Sequence, residues 1–351
     1  MIDLPALKRN ISRMSAAVKH AGLTLRPHAK THKSAAVAAL QVEAGAAGIS
    51  CATVAEAEML AAAGIGGLLL TGPLMSESKF ARIAALHRRV DISIVADHPR
   101  QIEILVRQLG AVERPLPVLV DVDVGQRRTG VASISDGVAL ARAIAAEAKL
   151  QLAGIQGFAG HAQHVADPDE RKRIAEDSAN VLREFVAALS DAGLPPKLVT
   201  GGGTGTYLQD CFGPYTELQV GSYVFMDADY ARIVDETGAA PAFEPSLFVL
   251  ATVVSANRPG EVTIDAGTKA LATNGPPPRE ILGAGKGAAY RFAGDEHGIV
   301  NVPAGQKTPA LGARLLLGAT HCDPTVNLYS RYHVVGEGGI KIWPIAGRYG
   351  D

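Results

Sequence analysis

Two lysines, two histidines and an arginine fall within the eight residues Arg26 to Lys33, in the stretch LRPHAKTHK that begins at Leu25. A free lysine has a pKa of about 10.4 and attacks a carbonyl poorly; burial beside other cations lowers that value and favours imine formation. Arg26, His28, His32 and Lys33 can supply such crowding around Lys30. The opposing reading is a basic surface loop, because runs of charge are usually solvated. Further on, polar clusters recur at intervals: Asp123-Val-Gly-Gln-Arg-Arg128-Thr-Gly130, then Phe158-Ala-Gly-His161-Ala-Gln-His164, then Thr200-Gly-Gly-Gly-Thr204-Gly205-Thr-Tyr207. Glycines mixed with threonines expose backbone N–H groups and hydroxyls to an anion, and Gly221-Ser222-Tyr223 can complete the same cup. A lysine and a phosphate cup on opposite sides of one cavity suit pyridoxal phosphate. His321-Cys322-Asp323 adds a possible chelate for a divalent ion: on an extended segment, residues two apart point the same way and Cys322 points elsewhere.

The elements that must position these residues follow from periodicity. Leu4, Leu7, Ile11, Met14 and Val18 make a helical stripe ending before Gly22. A strand near Leu25 opens an alternation of helices and short apolar runs, through Gly48–Ala52, Leu68–Thr71, Asp91–Ala96, Pro117–Asp123, Leu152–Phe158, Lys197–Gly201 and Glu217–Tyr223. Eight strands separated mostly by helices, with runs such as PLPVLV, predict a (β/α)8 TIM-like barrel over residues 1–243. An open doubly wound sheet is the alternative, since periodicity cannot show closure. The clusters named above all fall just after predicted strands, where a barrel gathers its site. After Phe243 the texture shifts to Leu247–Ser255, Glu261–Asp265, Arg314–Leu317 and Tyr332–Val335 with turn clusters between them, which predicts a mainly β domain over 244–351.

Composition narrows the partners. With 47% hydrophobic residues, 20% charged residues and a net charge of −1, the chain can bury a large core and carries no global field for nucleic acid or an acidic membrane. No uncharged apolar run approaches a membrane span. Cys51, Cys211 and Cys322 lack metal-ribbon spacing and suit a reducing compartment, so a cytoplasmic location and a small-molecule substrate are expected.

Taken together, RPHAKTHK, ISCATVAEAE, DVGQRRTG, TGGGTGTY, ELQVGSYVFMDADY, DEHG and HCDPTVNLY resemble the D-threonine aldolase and D-serine dehydratase family of fold-type III pyridoxal phosphate enzymes, from about Asp3 to the end. The resemblance implies an alanine-racemase-like barrel followed by a β domain, and a homodimer. It implies that Lys30, rather than Lys33, forms the imine with the cofactor, that Arg128 lies near the cofactor ring, and that Thr204, Gly205, Gly221 and Ser222 hold the phosphate. It makes His321 and Asp323 the metal ligands. The dehydratase branch typically shows His-x-Cys there, whereas Asp323 belongs with the aldolase branch and suits Mn²⁺, Mg²⁺ or Co²⁺ better than zinc. The activity implied is retro-aldol cleavage of a β-hydroxy-D-amino acid to glycine and an aldehyde, with His164 as base and His161 or metal-bound water as substitutes. A dehydratase, an amino-acid racemase and a non-enzymatic pyridoxal phosphate carrier are the competing readings. Two departures stand out. Phe158 occupies a place where relatives carry a tyrosine, and relatives begin with a strand ahead of Ile2-Asp3-Leu4, so either the start is misplaced or the β domain lacks an edge.

Overall fold

The computed structural model describes residues 1–348 apart from 236, 240 and 241. By internal contacts it divides into two units, Met14–Gly221 with the tail from Ala346, and Met1–Arg13 with Ser222–Ile345. The chain opens with β1 (Ile2–Asp3) and α1 (Leu4–His20), whose apolar stripe Leu7, Ile11, Met14 and Val18 is buried as the spacing predicts.

In the first unit, β2 (Thr24–Leu25), β3 (Ile49–Cys51), β4 (Leu68–Leu70), β5 (Ile92–Ala96), β6 (Leu116–Asp121), β7 (Leu150–Gly157), β8 (Leu198–Gly201) and β9 (Glu217–Leu218) form one parallel sheet. Its order, β2-β9-β8-β7-β6-β5-β4-β3, follows the sequence around the sheet. The two end strands are joined: Ala47 N donates to Leu25 O at 2.8 Å, Ser50 N to Pro27 O at 2.9 Å, and His28 bridges Ser50. The sheet is therefore curled on itself, and the open doubly wound alternative falls. Between the strands run α2 (Ala35–Glu43), α3 (Val54–Ala62), α4 (Glu77–His87), α5 (Pro99–Leu109), α6 (Ile134–Ala146) and α7 (Pro168–Asp191), with a short α8 (Tyr207–Asp210) after β8. Capping sets their starts. The side chains of Thr53, Ser133 and Asp167 accept from the N–H three residues on, and His98 with Gln101 makes a reciprocal box around Pro99.

The last barrel strand is shorter than the sequence pattern predicts. The strand spans only Glu217–Leu218, although Gln219 N still donates to Gly201 O and Val220 O accepts from His28 N, and Ser222–Val224 is a 3-10 turn. The backbone leaves the ladder because the following segment belongs to the other unit. There Ser246 N donates to Phe225 O and Ala228 N to Ala319 O, and Asn10 Nδ2 donates to Val224 O and Glu244 O. These bonds lie within the second unit, which also takes in the start of α1.

The second unit holds a six-stranded antiparallel sheet of β10 (Phe248–Arg258), β11 (Glu261–Ile264), β12 (Ile281–Leu282), β13 (Ala289–Phe292), β14 (Gly298–Asn301) and β15 (Arg314–Gly318), in the order β12-β15-β10-β11-β14-β13. Val249, Ala251 and Val253 alternate inward along β10 and meet Val262, Ile264, Leu315 and Leu317 in one core. After α9 (Cys322–Asn327), β16 (Arg331–Gly336) and β17 (Gly339–Pro344) form a second sheet with β1, which pairs parallel to β16 at Val334 and Val335. β1 is two residues long. No helix among the described residues is long and apolar enough to cross a membrane.

Candidate active site

The LRPHAKTHK segment is not a solvated loop. Ala29–Thr31 forms a 3-10 turn after β2, and His28, Ala29, Thr31, His32 and Lys33 are all buried. His28 caps the turn: its Nδ1 accepts from Lys30 N at 3.3 Å while Nε2 lies 3.1 Å from Thr71 Oγ1. Two of the four expected neighbours are committed elsewhere. Arg26 makes a bidentate pair with Glu217 at 2.9 Å for each contact, and Lys33 Nζ bonds to Glu56, whose other oxygen accepts from Ala52 N at 2.7 Å. His28 is held well below the ordinary histidine range by burial first and then by Lys30, His32, Lys33 and Arg128.

Lys30 is in a different position. Its Nζ lies over the ring of Phe158, 5.5 Å from the centroid, and the Arg128 guanidinium lies 5.4 Å from the same centroid. The strand ends of β2, β6 and β7 therefore bring together Lys30, Arg128 and Phe158, which the sequence placed at three separate loops. The loop after β6 is shaped by Asp123, whose Oδ1 accepts from Gly125 N and Arg127 N, and by Gly130 (φ +102), whose N–H donates to Asp97 Oδ2 at 3.0 Å. A Cβ on Gly130 would lie 2.4 Å from Asp123 N, so only glycine lets this loop fold back. Gly160 N donates to Gln126 Oε1 at 3.2 Å, tying the loops after β6 and β7. His161 and His164 are both exposed on the latter.

The glycine-rich loop after β8 departs from the simple anion cup. The N–H groups of Gly203 and Gly205 donate inward, to Asp210 Oδ2 at 3.1 Å and Gln163 Oε1 at 2.9 Å. What Gly205 contributes is the absence of a Cβ, which would lie 2.1 Å from Gln163 O. Gly221 likewise leaves room: a Cβ there would lie 2.7 Å from Thr31 Oγ1, a buried hydroxyl for which no hydrogen-bond partner is found among the described residues. Asp210, raised to about 7 chiefly by burial, and Gln163 were not picked out from the sequence. A glutamine between two histidines and an acid four residues after a Gly-Thr run were the only signals.

In the second unit, Ser222 and Tyr223 are buried, and Tyr223 packs edge-on to Phe243 at 5.7 Å. His321 and Asp323 do not lie on one extended segment. His321 is the extended N-cap (φ −135, ψ 121) of α9, and Cys322 and Asp323 are its first helical residues. Pro324 follows in the first turn of this helix, where its missing N–H costs nothing. His321 Nδ1 lies 3.0 Å from Asn274 Nδ2, and Cys322 N donates to Asp227 Oδ2 at 2.9 Å. The Cys322 thiol is pushed well above its usual pKa by burial, then by Asp227 and Asp323, and donates to Asp323 Oδ1 at 3.6 Å. Among the described residues no group of three or more His, Cys, Asp or Glu side chains is arranged to hold an ion.

A curled parallel sheet with a lysine just after its first strand, followed by a β unit, is the architecture of fold-type III enzymes. The chain belongs to the family of the alanine racemase N-terminal domain, whose model matches residues 2–229, and residues 246–335 match a putative serine dehydratase domain. Within that family it is similar to D-threonine aldolase of Arthrobacter sp, at 37% identity over 99% of this chain and 91% of the relative. It is 36% identical to 3-hydroxy-D-aspartate aldolase of Paracoccus denitrificans, again over 99% and 91%. D-threo-3-hydroxyaspartate dehydratase of Delftia sp. is 28% identical over 98% and 95%. The crystal structure of D-threonine aldolase from Filomicrobium marinum superposes with a TM-score of 0.94 at 38% identity, covering 99% of this chain and 94% of that one.

Proposed function

We propose that the protein is a pyridoxal-phosphate-dependent lyase that cleaves β-hydroxy-D-amino acids between Cα and Cβ, giving glycine and an aldehyde, with a divalent ion on His321 and Asp323. The observation that carries this reading is the shared aromatic ring: Lys30 and Arg128 both face Phe158, while Lys33 is bound to Glu56. An amine for an aldehyde and a guanidinium for negative charge are the groups such a cofactor needs, and the loops at Gly203, Gly205 and Gly221 leave no room for a Cβ. The residues fit the cofactor. The imidazole and carboxylate of His321 and Asp323 fit a divalent ion that takes only two protein ligands and leaves its other positions to water and substrate, with Mn²⁺ favoured over Mg²⁺ or Co²⁺.

When bound, pyridoxal phosphate supplies an electron sink for the pair released at Cα, and the ion supplies a Lewis acid for the β-hydroxyl. The chain does the rest. Lys30 would hold the cofactor through its aldehyde, and Arg128 would offset negative charge beside Phe158. Thr204, Gly221 and Ser222 receive the phosphate. His164 takes the β-hydroxyl proton, so that the O–H pair becomes the second bond of the departing carbonyl and the Cα–Cβ pair stays on Cα until a proton returns. The aldolase reading is preferred over dehydration because identity is 37% and 36% to the aldolases against 28% to the hydroxyaspartate dehydratase. Three free thiols support a cytoplasmic location, and the family resemblance supports a homodimer.

The test is product analysis. Purified protein with pyridoxal phosphate, Mn²⁺ and a panel of D-threonine, D-phenylserine and 3-hydroxy-D-aspartate is expected to yield glycine and the matching aldehyde. A 2-oxo acid with ammonia would replace this reading with a dehydratase, and a lack of turnover with bound cofactor would leave a carrier.

A further inference from the structure

Gln163 sits between two exposed histidines, yet it is only 2% exposed. Its amide spans two loops. Nε2 donates to Thr206 Oγ1 at 2.8 Å and to Ala159 O at 3.2 Å, and Oε1 accepts from Gly205 N at 2.9 Å. The contact is close as well as polar, because a Cβ on Gly203 would lie 2.3 Å from Gln163 Oε1 and one on Gly205 2.1 Å from Gln163 O. Beyond the glutamine the chain of bonds continues. Thr206 Oγ1 donates to Asp210 Oδ2 at 2.6 Å, and that oxygen also accepts from Gly203 N at 3.1 Å. The glycine loop is thus gripped from both sides, by Gln163 on the β7 loop and by Asp210 behind it.

We propose that Gln163 is a positioning residue that locks the glycine-rich loop after β8 to the loop carrying His164, so that anion binding and proton transfer depend on one side chain. The claim rests on the function proposed above, in which the first loop receives the cofactor phosphate and His164 moves the hydroxyl proton. The physical reason is connectivity. A buried amide that uses both its donor and its acceptor on the neighbouring loop leaves unpaired polar groups on each side when it is removed, so both loops relax together. A glutamine serving one loop would satisfy one set of contacts. Here the backbone Ala159 O and the Gly205 N–H are on opposite sides of the same carboxamide.

The experiment uses Gln163→Met, which keeps the volume and removes the hydrogen bonds, with Gln163→Glu as a second variant that retains the acceptor and loses both donated bonds. Pyridoxal phosphate is titrated into protein stripped of cofactor and followed by its visible absorbance, and kcat and KM are then measured at saturating cofactor and Mn²⁺. We expect cofactor affinity to fall roughly 10- to 100-fold on the loss of three hydrogen bonds, with kcat falling about tenfold at saturation and KM little changed. Gln163→Glu should lie between wild type and Gln163→Met in both. If wild type turns over and either quantity survives in Gln163→Met within about twofold, the coupling is refuted. If only thermal stability moves, the residue is structural and the proposal again fails. Should Gln163→Met not fold by circular dichroism, the same two readouts on Gln163→Glu decide. A wild type that binds pyridoxal phosphate but yields neither glycine nor aldehyde refutes the proposed function instead, and the two failures are distinct.

Discussion

Two short turns, one in each unit, carry Lys30 and the pair His321 and Asp323, and each is anchored through a neighbouring residue. In the barrel, Lys30 lies on the Ala29–Thr31 turn, and three residues on Lys33 is locked to Glu56, which in turn holds Ala52 N. In the β unit, His321 and Asp323 begin α9, and the residue between them, Cys322, is locked by its N–H to Asp227. The anchors differ in kind. Lys33 and Glu56 are a buried ion pair with side chains 7% and 0% exposed, whereas Cys322 is held by its backbone to a buried carboxylate that also accepts from Asp229 N and Tyr230 N. The chemistry-bearing residue is thus separate from the group that fixes its turn, and substitutions can pull the two roles apart.

The largest effect is expected at the barrel turn. Lys30→Ala should abolish the cofactor's visible absorbance and lower kcat roughly 10³-fold or more, with the melting temperature little changed. Lys33→Ala should do the reverse. It leaves Glu56 buried without its cation and should cost about 3–5 kcal/mol of stability in denaturant unfolding. A Lys33→Ala protein that loses its cofactor spectrum while keeping its stability would reverse the two roles.

At the other turn the expected effects are smaller. Asp227→Ala releases the backbone of Cys322 and should weaken Mn²⁺ affinity by about 10- to 100-fold, measured by calorimetry, while leaving pyridoxal phosphate binding unchanged. Unchanged Mn²⁺ affinity would mean that the α9 turn holds its shape without that anchor.

The mildest expected effect concerns pH. Burial raises Asp210 from 3.8 to about 7, with hydrogen bonds from Thr206 and Gly203 opposing, so the folded protein keeps a proton that the unfolded chain releases near 3.8. Stability from this group is therefore fully present below the unfolded value and falls as pH rises toward about 7. Asp210→Asn should flatten that decline in melting temperature measured across the window. A parallel slope in the variant would assign the proton elsewhere, for example to Asp121, which burial raises to about 6.

The barrel was legible because its strands are buried on both faces. Leu116–Asp121 and Leu68–Leu70 read as apolar runs without alternation, and the helices between them announce their starts with Thr53, Ser133 and Asp167. The end of β9 was not legible, since Gln219-Val220-Gly221 continues the pattern, while the hydrogen bonds of Val224, Phe225 and Ala228 lie within the second unit. In that unit, β13 and β14 are four residues each and α9 six, too short to display a period. At the site, the identity of each polar residue was readable and its partner was not. Nothing in the spacing of Lys30 and Lys33 says which one meets Glu56, because that carboxylate comes from α3 and the choice is made in three dimensions.

That choice is also the most direct test. Borohydride reduction of the protein loaded with pyridoxal phosphate, followed by proteolysis and mass spectrometry, should find the reduced cofactor on Lys30. An adduct on Lys33, or on no residue of Arg26 to Lys33, would contradict the account.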